Sequence, residues 1–239
     1  MIDWLRRPAS DDTVEVAGRA LPITIRRHPS ARRMTLRLAP DGSEVRLSIP
    51  RWGRTADALA FAHSRAEWLT EQLAALPRPQ VLEPGATILF RGEPVRIEWA
   101  AHHPRTPSLG AAVVRLGGPE DALGARVRRW LEGQALALIA CDLDEYCAAA
   151  GVPVPPLRLS RAQRRWGSCS GDGTVRINWR LVHAPDMVRR SVVAHEVAHL
   201  VHFDHSRQFH ALLADLYGPG LGEAERWLRE HGRTLYVAG

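Results

Sequence analysis

The stretch VVAHEVAHLVHFDHS, residues 192–206, places four histidines and two carboxylates in an otherwise apolar run. Pro185 can begin a helix just before it, and valines at helical spacing predict that this helix continues to about Phe203. His195 and His199 are four residues apart, so one helical turn places both imidazoles on one face, where they can reach a single ion. The stretch therefore predicts a metal-binding helix.

Glu196 follows His195 directly, which completes the pattern HExxH. It projects about 100° around the helix from His195, by helical geometry, and can reach a water on the ion without being a ligand. Zinc lowers the pKa of a bound water toward about 7, and a nearby carboxylate takes the proton as that water attacks a carbonyl. The pattern indicates a zinc-dependent hydrolase with Glu196 as its general base.

A catalytic zinc usually has three protein ligands, and several residues could supply the third. His205 comes ten residues after His195, where the helix should be ending, so the chain can bend and return this imidazole to the ion. His202 would lie about one turn too far along a straight helix, and we interpret it as a neighbour of the site or a surface group. We predict His205 as the third ligand, with a glutamate on a later helix as the alternative. The other candidates are His210, which we interpret as a pocket wall, and the carboxylates Asp215, Glu223 and Glu225.

The rest of the second half predicts helices around one β-hairpin. A long helix over about 120–150 should end at Gly151. RWGSCS and TVRINW read as the arms of a hairpin that turns at Asp172 and Gly173. After residue 206, Ser206 can cap a helix that runs to about Tyr217, and a last helix should stop at Gly232.

The first half alternates apolar and polar residues, which is typical of strands. Strands are predicted over 20–28 and 32–50, the second with a turn at Asp41-Gly42, and over 87–100. One helix is predicted over 55–76, and a loop over 101–119. We therefore predict an α+β protein with a β-rich N-terminal region, 1–115, and a metal-dependent hydrolase domain, 116–239.

Composition limits the class of protein. With 239 residues, 45% of them hydrophobic, the chain can bury a substantial core. Its three cysteines form no CxxC pair, which argues against a disulfide framework and favours a reducing compartment. No apolar run reaches about 18 residues, and the N-terminus lacks the apolar core of a signal peptide. These features predict a soluble, cytoplasmic protein with no membrane partner.

The net charge of +6 comes from 32 basic side chains that are all arginine, since the sequence has no lysine. This bias is expected of a GC-rich bacterial genome as much as of phosphate contacts. The arginines are scattered, and we interpret each group as a solvated face rather than a nucleic-acid patch. The groups are Arg26 and Arg27, Arg32 and Arg33, Arg128 and Arg129, and Arg161, Arg164 and Arg165.

Two longer motifs carry a family resemblance. RRWGSCSGDGTVRINWRLVHAP (164–185) followed by VVAHEVAHLVHFDHSRQF (192–209) resembles the YgjP-like metallopeptidase family, which is related to the SprT-like and zincin proteins. The resemblance covers 155–231 closely and the N-terminal part more loosely. It implies a zincin-like C-terminal domain with a small sheet. It also implies zinc as the metal, His195, His199 and His205 as ligands, and Glu196 as the base.

The same resemblance suggests how a substrate binds. In zincin-like folds an edge strand lies over the metal and pairs with an extended substrate, and the small residues Gly167 and Ser168 make WGSCS the best candidate. Arg180 is a candidate to contact substrate or stabilise an oxyanion, although a structural ion pair is the commoner role of such a residue. In the alternative interpretation Trp166 and Trp179 are core aromatics.

The leading functional prediction is a metallopeptidase that acts on a peptide or protein through a metal-activated water and Glu196. The first alternative is a hydrolase of nucleotide phosphoanhydrides, which the arginine excess favours and the lack of a glycine-rich phosphate loop disfavours. The second is a nucleic-acid-associated protein with a structural zinc. That function requires a closed four-ligand site, and Cys169 is the one nearby candidate for the fourth ligand.

Overall fold

The computed structural model of the protein describes residues 12–39, 41–76 and 81–236. These residues form six α-helices and three small β-sheets, so the predicted α+β class is confirmed. The chain divides into two compact units, Met1–Arg78 and Pro79–Gly239. Each unit has a hydrophobic core of its own.

The first unit is a four-stranded sheet with two helices. Its strand order is β1-β2-β4-β3, in which β2 and β4 are parallel and the other pairs are antiparallel. Leu38 lies opposite Val45, which confirms the predicted hairpin, and Gly42 supplies the positive φ of its turn. The elements are β1 (Thr13–Val16), β2 (Arg19–His28), β3 (Thr35–Leu38), β4 (Val45–Pro50), α1 (Thr55–His63) and α2 (Ala66–Ala74).

The single helix predicted over 55–76 is wrong, because the chain breaks between α1 and α2. The hydroxyl of Ser64 donates to the carbonyl of Phe61 at 2.8 Å. The N–H of Arg65 donates to the carbonyl of Ala62, three residues back, at 3.1 Å. The bond of Arg65 spans three residues instead of the four of an α-helix, and together with the side-chain bond of Ser64 it ends the first helix.

The second unit contains two sheets and four helices. One sheet has the order β5-β6-β8-β7 and the other β10-β11-β9. The hairpin predicted at Asp172-Gly173 is confirmed by the antiparallel pairing of β10 with β11. The strands are β5 (Thr87–Phe90), β6 (Glu93–Trp99), β7 (Ser108–Gly110), β8 (Val113–Leu116), β9 (Leu157–Ser160), β10 (Gly167–Cys169) and β11 (Val175–Asn178). The helices are α3 (Leu123–Ala150), α4 (Asp186–Val201), α5 (Arg207–Tyr217) and α6 (Leu221–His231).

Strands β7 and β8 lie within the segment 101–119 that was predicted to be a loop. Val114 and Leu116 are fully buried in the same core as Val193 and Val197 of α4. Residues 87–116 therefore belong to the compact unit that carries the HExxH motif. The division at 78/79 differs from the border expected at 115/116 for this reason.

The start of α4 is held by the turn between β5 and β6. The N–H groups of Arg91 and Gly92 donate to the carbonyls of Val182 and His183 at 2.7 and 3.1 Å. The guanidinium of Arg91 binds the carboxylate of Asp186, the first residue of α4. Gly92 has a φ of +86°, and a Cβ there would lie 3.0 Å from the Cα of Pro185, so both the backbone conformation and the close packing of this turn favour glycine.

Candidate metal centre

Helix α4 carries His195, Glu196 and His199 on a buried scaffold. Its valines pack into the core of the second unit, and Val193 and Val197 are fully buried. Because valine is a poor helix former, this helix depends on core packing more than on intrinsic propensity. The rings of His195 and His199 lie on one face, with centroids 4.8 Å apart. They are close enough to share one ion.

The chain bends after α4 and returns to these two histidines. The helix ends at Val201, and His202 is extended, with φ −127° and ψ 106°. The Nε2 atom of His205 then lies 3.4 Å from Nε2 of His195. Ligand atoms of His195, His199 and His205 all lie within 4.8 Å of one another. With Zn–N bonds of about 2 Å, tetrahedral ligand nitrogens lie about 3.3 Å apart, so this trio fits one zinc ion after small side-chain movements.

The protonation of these histidines suits metal binding. Nδ1 of His199 lies 3.1 Å from the carbonyl oxygen of His202, which can only accept, so Nδ1 carries the proton and Nε2 is the free donor atom. Burial, followed by the charges of His199, His205 and His210, lowers the pKa of His195 to about 4. At neutral pH this imidazole is therefore uncharged and able to bind a cation.

Phe209 packs against all three histidines. Its ring centroid lies 5.0 Å from that of His195, 4.5 Å from that of His199 and 4.9 Å from that of His205, and it is fully buried. Ser206 caps α5 by accepting the N–H of Phe209 at 3.3 Å, which fixes this ring directly after the bend. Phe209 is the last residue of the motif that carries the family resemblance, but the sequence offered no reason to place it against the histidines, because an apolar side chain performs no chemistry. The sequence feature that could have indicated its position is that Phe209 comes three residues after Ser206, the residue that caps α5.

Glu196 is adjacent to the trio but buried under strand β10. The residue is only 5% exposed, and this burial raises the pKa of its carboxyl to about 7. A hydrogen bond from the backbone of Cys169 and the charge of Arg165 act in the opposite direction. A carboxyl group that titrates near neutrality can both accept and release a proton during a reaction.

The backbone of β10 covers the Glu196 carboxylate at Gly167. A Cβ at this position would lie 2.7 Å from Cγ and 2.8 Å from Cδ of Glu196, and closer still to Oε1. Since a Cβ cannot approach other atoms that closely, any other residue here would displace either the Glu196 side chain or the strand. Strand β10 is at the edge of its sheet, with β11 as its strand partner. Gly167, predicted as a substrate contact, is therefore brought against the candidate general base.

A cleft of about 250 Å³ opens beside His195 and Glu196. Its walls are mostly apolar, and the exposed side chain of Glu225 on α6 adds one carboxylate to the lining. Concave apolar surfaces with a few polar groups are typical of ligand-binding sites. The apolar lining residues are Trp166, Val192, Leu213, Leu221 and Leu228.

Two predicted substrate-contact residues lie outside this cleft. Ser168 follows Gly167 on β10 and is half-buried, but it is not part of the lining. The guanidinium of Arg180 lies over the rings of Trp179 and Tyr236, 4.9 and 5.1 Å from their centroids. Stacking of this kind holds Arg180 in place and uses its cationic face. Substrate contact by Ser168 and by Arg180 stays a prediction.

The other polar residues near the site are placed outside the trio. His202 contributes its carbonyl to His199, as described above, and His210 is exposed, with its ring 6.3 Å from that of His205. Asp204 accepts the N–H of Ser206 at 3.3 Å and so stabilises the bend. Within the described ranges, the metal-binding group contains none of the alternative ligands Asp215, Glu223, Glu225 and Cys169.

A comparison with known protein families identifies the family of this chain. Residues 32–231 match the model of the YgjP-like, metallopeptidase domain. The chain belongs to the YgjP-like family. No curated protein and no solved structure matched the chain. The YgjP-like match includes the site helix, the WGSCS hairpin and the part of the first unit from residue 32 onward, with β3, β4, α1 and α2, whereas β1 and β2 precede it.

Membership of the YgjP-like family supports a metal-dependent hydrolase and a peptide or protein substrate. The donor set agrees with a metal cofactor, because three imidazole nitrogens converge on one point. Across the described ranges, every helix is too short or too polar to cross a bilayer.

Proposed function

We propose that this protein is a zinc-dependent metallopeptidase of zincin-like architecture in which His195, His199 and His205 bind zinc. The observation that best supports this proposal is the group of three imidazole donors beside a buried carboxyl group, Glu196, whose pKa is about 7. Three protein ligands leave one tetrahedral position open, as catalytic zinc sites do. When bound, zinc supplies a Lewis acid for the scissile carbonyl and lowers the pKa of water.

Glu196 is the group that moves the proton. In its ionised form it accepts the proton of the attacking water, and in its protonated form it donates that proton to the leaving amine. The hydrogen bond from the backbone of Cys169 orients the carboxylate. Because Gly167 covers the same carboxylate, bulk water is excluded from it and its pKa stays close to neutral pH.

The proposed substrate is an extended peptide segment that adds to β10 as a further strand. The second edge of β10 has no strand partner among the residues that the structure describes, so its outward backbone groups suit β-augmentation. The cleft beside His195 then receives one substrate side chain. Its apolar walls favour a long aliphatic or aromatic group, and Glu225 favours a cationic end.

The two alternative functions have weaker support. A structural zinc needs a fourth protein ligand, and in the described part of the chain the metal-binding group has three members. Hydrolysis of a nucleotide phosphoanhydride would need cations for the phosphates, and among the residues that the structure describes no arginine lines the cleft. A peptidase therefore explains the site best.

The test compares Glu196→Gln with His199→Ala and with Glu223→Gln, an exposed glutamate on α6 that serves as the control. Zinc content is measured directly, and activity is measured on peptides, an unfolded protein and nucleotides. We expect Glu196→Gln to keep zinc and lose about 100-fold or more in rate, because general-base catalysis contributes about 10²–10⁴. His199→Ala should lose zinc as well.

Two results would contradict this proposal. Full activity of Glu196→Gln with its zinc retained would remove the general-base role. A wild-type protein without zinc, or one that cleaves nucleotides and no peptide, would remove the peptidase assignment. Glu223→Gln should behave as the wild type in every assay.

A further inference from the structure

One end of the sheet in the first unit collects arginines from three separate segments of the chain. Strands β2 and β4 are parallel, with Arg27 beside Ile49, so their C-terminal ends lie at the same end of the sheet. Strand β3 is antiparallel to β4, with Thr35 opposite Ser48, so the residues before β3 also lie there. We call this the arginine end. Its arginines are Arg26, Arg27, Arg32, Arg33, Arg51 and Arg54, and all six are exposed.

The arginine end has few carboxylates to balance these charges. The segments 24–37 and 45–56 contain no Asp or Glu. Glu44 begins β4 from the opposite end of the sheet, where it binds Thr24 and Arg46. Asp57, in the first turn of α1, is the nearest acidic residue in sequence. Between described residues, no ion pair to any of the six arginines occurs.

Trp52 lies between Arg51 and Arg54 in the chain, at the arginine end of the sheet. Its side chain is 81% exposed, the highest value among the exposed large hydrophobic side chains of the described residues. It is also outside the core of the first unit, so it does not serve packing there. A tight turn presents it, closed by the N–H of Gly53 donating to the carbonyl of Pro50 at 3.0 Å.

Arg27 makes this turn rigid without losing its charge. Its guanidinium donates to the carbonyl of Gly53 and, at 3.0 Å, to the hydroxyl of Thr55. Both acceptors are neutral, so the positive potential of the arginine end is kept. Because the backbone that carries Trp52 is already ordered, less conformational entropy is lost when a partner binds there.

We propose that the arginine end, with Trp52, binds single-stranded nucleic acid. Arginines neutralise phosphates, and an exposed indole stacks on an unpaired base. A duplex keeps the faces of its bases stacked inside the helix, and an acidic peptide offers the indole no flat partner. A single strand therefore uses both features of this surface. The binding is separate from peptide hydrolysis and does not depend on zinc or on Glu196.

The arginine bias of the sequence does not by itself produce this surface. Arg128 and Arg129 on α3 are equally exposed, but the aromatic residue beside them, Trp130, packs against Phe90 with ring centroids 5.2 Å apart. The pair Arg128 and Arg129 therefore offers the same charge without an available indole, and it provides a matched control.

The experiment titrates the full chain into a fluorescein-labelled oligothymidylate of about 15 nucleotides, followed by fluorescence anisotropy at several salt concentrations. We expect salt-sensitive binding that Trp52→Ala weakens on the order of 10-fold, as loss of one base stack does. Arg32→Ala/Arg33→Ala should weaken it by a similar factor and reduce the salt slope by about 1.4 units, since each lost phosphate contact on a single strand contributes about 0.7. Arg128→Ala/Arg129→Ala should change the affinity less than about twofold.

Three outcomes would overturn the proposal. The first is no binding of the oligonucleotide at about 50 mM salt. The second is equal weakening by both arginine pairs, which would indicate non-specific attraction to net charge. The third is binding that Trp52→Ala leaves unchanged and that polyglutamate displaces as well as DNA does, which would indicate an acidic protein partner. Circular dichroism of each variant checks that the exposed substitutions leave the fold intact.

Discussion

At the scale of single residues, Gly167 determines how β10 fits over Glu196. Gly167→Ala would put a methyl carbon 2.8 Å from Cδ of Glu196, so either the carboxylate or the strand must move. We expect peptide hydrolysis to fall about 100-fold, because a displacement of about 1 Å at a reacting group has that effect. Bound zinc should be unchanged, since no ligand is touched. Initial rates and metal analysis measure the two effects.

Gly171→Ala is the control for this substitution. Gly171 lies in the same hairpin, and a Cβ there would meet nothing within 4 Å. If Gly171→Ala loses as much activity as Gly167→Ala, a general loosening of the hairpin explains the result and the close approach to Glu196 does not.

His183 should make the stability of the second unit depend on pH. Burial, with a smaller contribution from the charge of Arg180, lowers its pKa to about 4, and its Nδ1–H donates to the carbonyl of Leu89 at 2.6 Å. In the unfolded chain His183 takes up a proton near pH 6.5. In the folded protein it stays neutral until the pH falls to about 4. The stabilising effect of neutral His183 is therefore complete above pH 6.5 and is lost as the pH falls toward 4. We expect this to remove about 3 kcal/mol from the free energy of unfolding, measured by urea titration of the metal-free protein.

His183→Gln isolates that effect. It should remove about 3 kcal/mol of the pH dependence between about pH 6.5 and 4 and leave the share of His195, whose pKa is also lowered to about 4. His102→Gln, at an exposed position in the same unit, should leave the pH dependence as in the wild type. Identical pH profiles for His183→Gln and the wild type would show that other groups cause the acid destabilisation.

The residues that could be predicted from sequence are those whose geometry is local. The spacing of His195, Glu196 and His199 is set by the helical period, and the bend that returns His205 is set by the end of the same helix. Phe209 and Trp52 could not be predicted in this way. Their roles depend on burial in one case and exposure in the other, and a single apolar letter indicates neither.

At the scale of secondary-structure elements, α4 is joined to α3 by a buried ion pair. Nε of Arg189 donates to Asp142 at 2.7 Å, and both side chains are almost fully buried. Asp142→Ala leaves the buried guanidinium of Arg189 with Asp186 as its remaining carboxylate partner. Because Asp142 is the buried partner of the two, we expect its removal to lower the free energy of unfolding by about 3 kcal/mol. Urea denaturation measures this change.

Glu145→Ala provides the comparison on the same helix. Glu145 binds Arg190 at 2.6 Å, but its side chain is mostly exposed, so its removal should cost less than about 1 kcal/mol. Equal losses for Glu145→Ala and Asp142→Ala would contradict the view that burial makes the Asp142 pair important.

Elements that depend on distant pairing were the ones that sequence patterns missed. The helical spacing of apolar residues continues across Ser64, so nothing in the period marks the break between α1 and α2. Strand β8 has four residues and pairs with β6, and β7 has three. Strands that short show no reliable alternation of apolar and polar residues. They are defined by their hydrogen bonds to neighbouring strands. By contrast, Gly151 ends α3 in the left-handed conformation, as a glycine in that place predicts.

At the scale of the whole molecule, the two compact units have separate cores, and the three candidate ligands belong to the second. A ligand that binds only the folded state stabilises it by about 2.7 kcal/mol at a concentration 100 times its Kd. We expect a chelator to lower the Tm of the second unit by about 5–10 °C and to leave that of the first unit unchanged. Differential scanning calorimetry with and without zinc measures both transitions. A chelator shift of both transitions, or of neither, would contradict zinc binding by these histidines.

The expected border at 115/116 shows where whole-molecule reasoning from sequence stops. Residues 87–100 look like the strands that precede them, so composition groups them with the first unit. What assigns them to the second unit is the shared burial of Val114 and Leu116 with the valines of α4, about 80 residues further along. Contacts at that separation leave no local pattern in the sequence.

The turn at Arg91 and Gly92 has a consequence for inheritance. This turn holds the start of the helix that carries the histidines, although about 95 residues separate them in the chain. Recombination at a point between this turn and α4 would combine the helix of one parent with the turn of another. The residues of that turn would not have evolved to contact that helix. Crossovers should therefore be tolerated between the two compact units, near residues 77–80, and not between this turn and α4. Residues 81–201 should pass from ancestor to descendant as one block.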